Sequence, residues 1–215
     1  MTKVYRSRSA KFALFSAILC ICVLVFDVTS FASGVQSDID IPFEHEFFSY
    51  DQSEDLNAEV EMVYENQWFK RYVVRYDSEG DRCYSEYYEP KGEGTYPAVV
   101  MLHGMFSRTP QEYWEMGEFY ARRGVAVIFP SLPHHHERKK FNILKYLFFM
   151  EDGIPFVATT PEKLSGNFRQ AVVDSRRAVD WLMTRDNLDK ENISIAGVSL
   201  GGLVSALAFK VEPRF

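Results

Sequence analysis

Three short runs in this chain, residues 97–102 (PAVVML), 125–129 (VAVIF) and 192–196 (NISIA), carry no charge, and the first two are apolar throughout. A strand with one wet face alternates polar and apolar residues. A strand without a polar face must be covered on both sides, which points to a parallel sheet between helices. Helical stretches follow the runs. Thr109 can cap a helix whose first turn holds Pro110, with Glu112 at capping-box spacing. Tyr113, Met116 and Tyr120 give it an apolar face, and Gly124 stops it. Residues 168–185 form a second helix, with Phe168, Ala171, Val172, Ser175, Val179 and Leu182 on one stripe and Arg169, Asp174, Arg176 and Arg177 expected opposite. Residues 200–210 open a third. Upstream, 58–88 is β-like, with Val60, Met62 and Tyr64 alternating with acids, and 90–94 (PKGEG) is a turn. Strand–helix alternation of this kind implies helices on both faces of a sheet.

The first 32 residues read as an address. Lys3, Arg6, Arg8 and Lys11 precede an unbroken apolar and small stretch at 12–26, Asp27 ends it, and Ser30 and Ala32 offer the small residues of a cleavage site. That stretch would span about 22 Å as a helix against roughly 30 Å of hydrocarbon. Cleavage near Ala32 is therefore favoured over retention as a membrane anchor. Leu19 before Cys20 is too bulky for a lipoprotein site. The organisation expected is a signal at 1–32, a linker and N-terminal packing segment at 33–57, and one globular domain at 58–215. With 24 basic and 30 acidic residues the chain carries a net charge of -6. No basic face is available to displace counterions from phosphates, so nucleic acid is not expected as a partner. Cleavage would leave Cys83 as a single cysteine, read as structural.

Residues 197–201 (GVSLG) match G-x-S-x-G. A serine on a sharp strand-to-helix turn holds a strained backbone, so Gly197 and Gly201 must be very small. The turn lifts the Ser199 hydroxyl clear of the sheet and aims a helix N-terminus at the reacting carbonyl. The pattern is weak alone, but here it lies between an apolar strand and a helix. His103-Gly104-Met105 directly follows the run at 97–102. The N–H groups of Met105 and Leu200 are the candidates for an oxyanion hole, and Gly104 is expected to let the backbone approach closely. His103 is read as a structural loop histidine.

On 98–105 (AVVMLHGM), 125–135 (VAVIFPSLPHH), 168–182 (FRQAVVDSRRAVDWL) and 193–202 (ISIAGVSLGG), the chain resembles the α/β-hydrolase superfamily, and within it the dienelactone-hydrolase and acetyl-esterase-like members. The resemblance implies a three-layer α/β-hydrolase fold with a mostly parallel sheet and a serine hydrolase acting on a small carboxylic ester. Ser199 would be the nucleophile, and no cofactor or metal would be needed. It also implies a triad in chain order Ser, acid, His. All five histidines of this sequence precede Ser199. The acid, the histidine and the C-terminal strands are accordingly expected beyond Phe215, the chain being an N-terminal part of a longer hydrolase. Two alternatives stay open: a degenerate, non-catalytic hydrolase and a prolyl-oligopeptidase-like peptidase.

Three further segments bear on the site. His134, His135 and His136 on extended backbone would point in alternating directions and could not converge on one metal ion, so they are read as a loop at the site mouth. A histidine of this loop standing in for the base is the lesser possibility. Residues 137–163 form an insertion that is either a lid or an extra helix. Asn192-Ile193-Ser194 matches a glycosylation sequon but is discounted as lying inside a buried strand.

Overall fold

The computed structural model describes residues 45–107, 113–138 and 160–215. The address at 1–32, most of the insertion and the cap at Thr109 to Glu112 lie outside these. Among these residues six strands form one sheet: β1 (Glu59–Glu65), β2 (Phe69–Ser78), β3 (Asp81–Pro90), β4 (Tyr96–Leu102), β5 (Ala126–Pro130) and β6 (Leu188–Gly197). Their order is β1-β2-β3-β5-β4-β6. The sheet is mixed, with β1, β2, β3 and β5 pairing antiparallel in succession and β5-β4-β6 pairing parallel. The apolar runs lie in the parallel part, as their lack of a wet face requires. β5 is buried at every position, while β1 at the far edge is exposed at every position.

Among the described residues three helices cover this sheet: α1 (Trp114–Ala121), α2 (Pro161–Met183) and α3 (Leu200–Val211). Neighbouring tyrosines of β3 show which face each covers, because successive side chains of a strand point to opposite sides. Tyr88 packs under α1, where its ring atoms would lie 2.5–2.6 Å from a Cβ at Gly117. Tyr87 meets Trp181 of α2 edge-on at 4.9 Å. The result is three layers. Gly124, at φ 77°, ends α1 as its spacing predicts, with Val125 N–H donating back to Tyr120 O at 3.2 Å.

Helix α2 begins earlier than the stripe implies. Thr160 caps it with Pro161 at the first position, so the last residues of the insertion are helical. The larger correction concerns its polar side. Asp174 and Arg177, expected at the solvent face, are 1% and 2% exposed. Each is compensated. Asp174 accepts from Arg138 at 2.5 Å and from Gln170 at 2.9 Å. Arg177 donates to Asp180, to Asp77 O and to Glu54 O. Arg169 and Arg176 likewise hold the carbonyls of Phe47, Ser49 and Phe48. Residues 45–54 are thus a packing segment bound to α2 by guanidinium–carbonyl bonds, and the residues of 33–57 before His45 lie outside the description.

Cys83 is fully buried on β3, and burial pushes its thiol up to about 12. At pH 8 it should alkylate on the order of a thousandfold more slowly in the folded protein than in denatured chain, read by peptide mass after a timed iodoacetamide pulse. The Arg138–Asp174 pair has side chains 4% and 1% exposed. Asp174→Ala leaves a buried guanidinium short of its partner and is expected to destabilise by about 3–5 kcal/mol in urea unfolding.

Candidate active site

Parallel pairing brings the ends of β4 and β6 together, with Leu102 opposite Gly197. Val198 N–H extends the ladder one step by donating to Leu102 O at 3.0 Å. The chain then reverses at once. Ser199 sits at φ 54° and ψ -117°, a conformation that side-chain-bearing residues rarely adopt, and α3 starts at the next residue. The glycines explain how so tight a reversal closes. A Cβ on Gly197 would lie 2.3 Å from the backbone of Gly201. A Cβ on Gly201 would lie 2.4 Å from Leu102 O and 2.6 Å from His103 O. Gly104 is different from expectation, since a Cβ there would meet Ser199 Cβ and Val198 O at 3.6 Å, an ordinary contact. That distance does place the loop after β4 directly against Ser199.

Ser199 is exposed and Leu200 is buried. The loop forms a turn over residues 104–107, closed by Ser107 N–H donating to Gly104 O at 3.2 Å. Among the described residues, no acceptor stands against the N–H of Met105 or of Leu200. The turn and the start of α3 therefore offer two unengaged donors, and the loop that carries one of them lies against Ser199.

The histidines do something that composition and spacing could not convey. His103 is 2% exposed, and its Nε2 accepts from Leu132 N–H at 3.0 Å while its Nδ1 lies 2.8 Å from Gly104 O. A carbonyl can only accept, so Nδ1 carries the hydrogen and the tautomer follows. Burial pushes His103 down to about 3, so the ring is neutral at ordinary pH. Residues 134–136 are not extended: His134 and His136 have φ of 66° and 49°. The turned backbone sends His134 outward to Asn167 and brings the other two rings to His103, at centroid distances of 4.7 and 4.6 Å. His136 lies between two hydroxyls, 2.6 Å from Ser131 Oγ and 2.9 Å from Ser107 Oγ. His135, fully buried, places Nε2 2.7 Å from Met105 O and Nδ1 2.9 Å from Pro133 O. The three imidazoles join the loop after β4 to the loop after β5. Among the described residues none bonds to Ser199 Oγ, and no group of three or more His, Cys, Asp or Glu is disposed to hold a metal ion.

Asn192 also corrects an expectation. It lies on the exposed part of β6, with its side-chain amide donating to Asp189 at 2.7 Å.

The sequence profile of the acetyl xylan esterase (AXE1) family matches residues 43–214, the whole of the described domain. The chain belongs to the acetyl xylan esterase family. Solved structures agree on the α/β-hydrolase esterase fold. Acetyl xylan esterase 1 from Thermoanaerobacterium sp. JW/SL YS485 superposes with a TM-score of 0.61 at 19% identity, over 79% of this chain and 53% of its own. An acetyl xylan esterase from Paenibacillus sp. R4 gives 0.54 at 25% identity, over 75% and 52%. A cold-adapted esterase from an Arctic intertidal metagenomic library gives 0.55 at 17% identity, over 71% and 60%. The chain spans about half the length of the first two. No curated protein sequence matches it.

For this member of the family, Gly201→Ala forces a methyl into two backbone carbonyls. It should displace Ser199 from its turn and lower the melting temperature by several degrees, on the order of 2 kcal/mol of lost stability.

Proposed function

We propose that the intact protein is an exported carboxylic-ester hydrolase that removes acetyl groups from a xylan-type saccharide through an acyl-enzyme at Ser199. The observation that supports the mechanism is the strained, exposed Ser199 packed against the loop after β4, with the N–H groups of Met105 and Leu200 unengaged among the described residues. Family membership supports the acetyl ester as substrate.

In this mechanism Ser199 Oγ attacks the acetyl carbon as its proton leaves to a general base. The carbonyl oxygen becomes an oxyanion and moves between the Met105 and Leu200 N–H groups, which need no reorganisation to receive it. The N-terminus of α3 adds its partial positive charge. Collapse expels the sugar hydroxyl and leaves acetyl-Ser199, which water then hydrolyses by the same steps. His103 is unsuited to act as base, because its free lone pair already accepts the Leu132 N–H. In the family order the acid and the base follow the serine. No cofactor or metal takes part. The lysines and arginines of residues 1–11 and the apolar stretch at 12–26 support export, with cleavage near Ala32.

The test is a fluorophosphonate reaction on protein from its native source, followed by intact and peptide mass. One adduct on Ser199 and a chain beginning at Ser33 are expected, and Ser199→Ala should lower acetyl-ester turnover by at least about a thousandfold. An unlabelled Ser199 in folded protein would sink the proposal in favour of a non-catalytic relative. Cleavage of peptides in preference to acetylated sugars would redirect it to a peptidase.

A further inference from the structure

The peptide group that carries the Met105 N–H also carries the Gly104 carbonyl, and in a trans peptide the two point in opposite directions. His103 Nδ1–H and Ser107 N–H both donate to Gly104 O, so that plane is held. The next plane, which carries the Met105 carbonyl, is held from elsewhere. Its oxygen lies 2.7 Å from Nε2 of the fully buried His135, thirty residues away in the loop after β5. The carbonyl can only accept, so this bond needs the Nε2–H tautomer, in which Nδ1 of the neutral ring carries no hydrogen toward Pro133 O. Among the described residues this is the side-chain bond that holds Met105 itself.

We propose that His135 is a positioning residue for the oxyanion site: its Nε2–H bond to Met105 O fixes the second of the two peptide planes around Met105 and so aims the Met105 N–H. The proposal rests on the reading of Ser199 and Met105 given above and adds a residue that the G-x-S-x-G pattern does not contain. His135 touches neither substrate nor the reacting atoms. Its own placement is secured by its backbone N–H, which donates to Leu132 O at 3.1 Å, and by the His103 ring, which meets it edge-on. Arg138, three residues on, ties the same loop to buried Asp174 of α2 and to Ser131 O. An oxyanion donor contributes only while it points at the oxygen of the tetrahedral intermediate. Loosening Met105 should therefore weaken the transition state and leave ground-state binding nearly unchanged.

Two conservative variants of the intact protein separate this role from simple packing. The amide of a glutamine reaches the place of His Nε2, whereas that of an asparagine reaches only the place of Nδ1. His135→Asn loses the donor for Met105 O. Its kcat on an acetyl ester is expected to fall by about ten- to a hundredfold, with KM within about twofold of the natural protein. His135→Gln should restore most of that loss. Equal kcat values for the two variants, or a change confined to KM, would overturn the proposal. If either variant fails to fold, a crystal structure of the natural protein with a phosphonate on Ser199 decides instead. The bond from His135 Nε2 to Met105 O should persist there, with Met105 N–H on the phosphoryl oxygen, and a broken bond or a Met105 N–H turned away overturns it. Activity that survives Ser199→Ala would reject the reading of the site itself, a result distinct from either variant's behaviour.

Discussion

The contact on which the rest of this structure depends is the backbone of α3 lying directly against the end of β4. Gly201 sits so close to the carbonyls of Leu102 and His103 that even a methyl group has no room, and Gly197 approaches Gly201 as closely from the other side. This approach permits β6 to reverse into a helix within two residues. The reversal in turn places Ser199 in a backbone conformation that an isolated chain would leave. The strain is local, and the buried parallel pairing of β4 with β6 overdetermines it. Exposure of the hydroxyl and the direction of the α3 N-terminus both follow from that one steric fact.

A second layer of constraint is electrostatic and lies further from the serine. α2 presents arginines and acids that pair inside the protein, and each pairing holds an irregular segment that could not otherwise stay in place. Arg177, Arg176 and Arg169 bind the carbonyls of residues 47–54, which form little regular structure of their own. Asp174 holds Arg138, and Arg138 holds the loop that carries the histidines. Burying such pairs adds little net stability, because desolvation offsets the attraction. What it supplies is direction: a guanidinium bonded to a buried carboxylate and to loop carbonyls fixes where a loop must run. The sheet's hydrophobic core and the loop at its C-terminal end are thereby joined through α2.

Much of the fold was legible because it depends on periodicity and turn chemistry. The runs at 97–102 and 125–129 have no wet face and became parallel, buried strands, and Gly124 ended its helix through the positive φ that its position suggested. The α2 stripe likewise read correctly on its apolar side. Its polar side did not, because periodicity reports only that Asp174 and Arg177 are charged. Their burial was decided by Arg138, Glu54 and Asp77, which arrive from distant parts of the chain. Asn192 was misjudged for a related reason, since the exposure of a strand position depends on what packs over it and not on the residue's own type. At the site, Gly197, Ser199 and Gly201 were recognisable from five consecutive residues. Their geometry is local, and so is its sequence signature.

The sequence by itself determined the parallel strands, the helices that flank them, and the serine between two glycines, because each is dictated by interactions within a few residues along the chain. Only the tertiary structure decided what surrounds that serine. It set the loop of Gly104 and Met105 against Ser199, turned His134 to His136 out of the extended form expected of them, and brought His103, His135 and His136 together with Ser107 and Ser131. These groups lie far apart in sequence and none forms a recognisable pattern with another. They meet because β4, β5 and β6 run parallel, and parallel strands deliver all their following loops to the same end of the sheet.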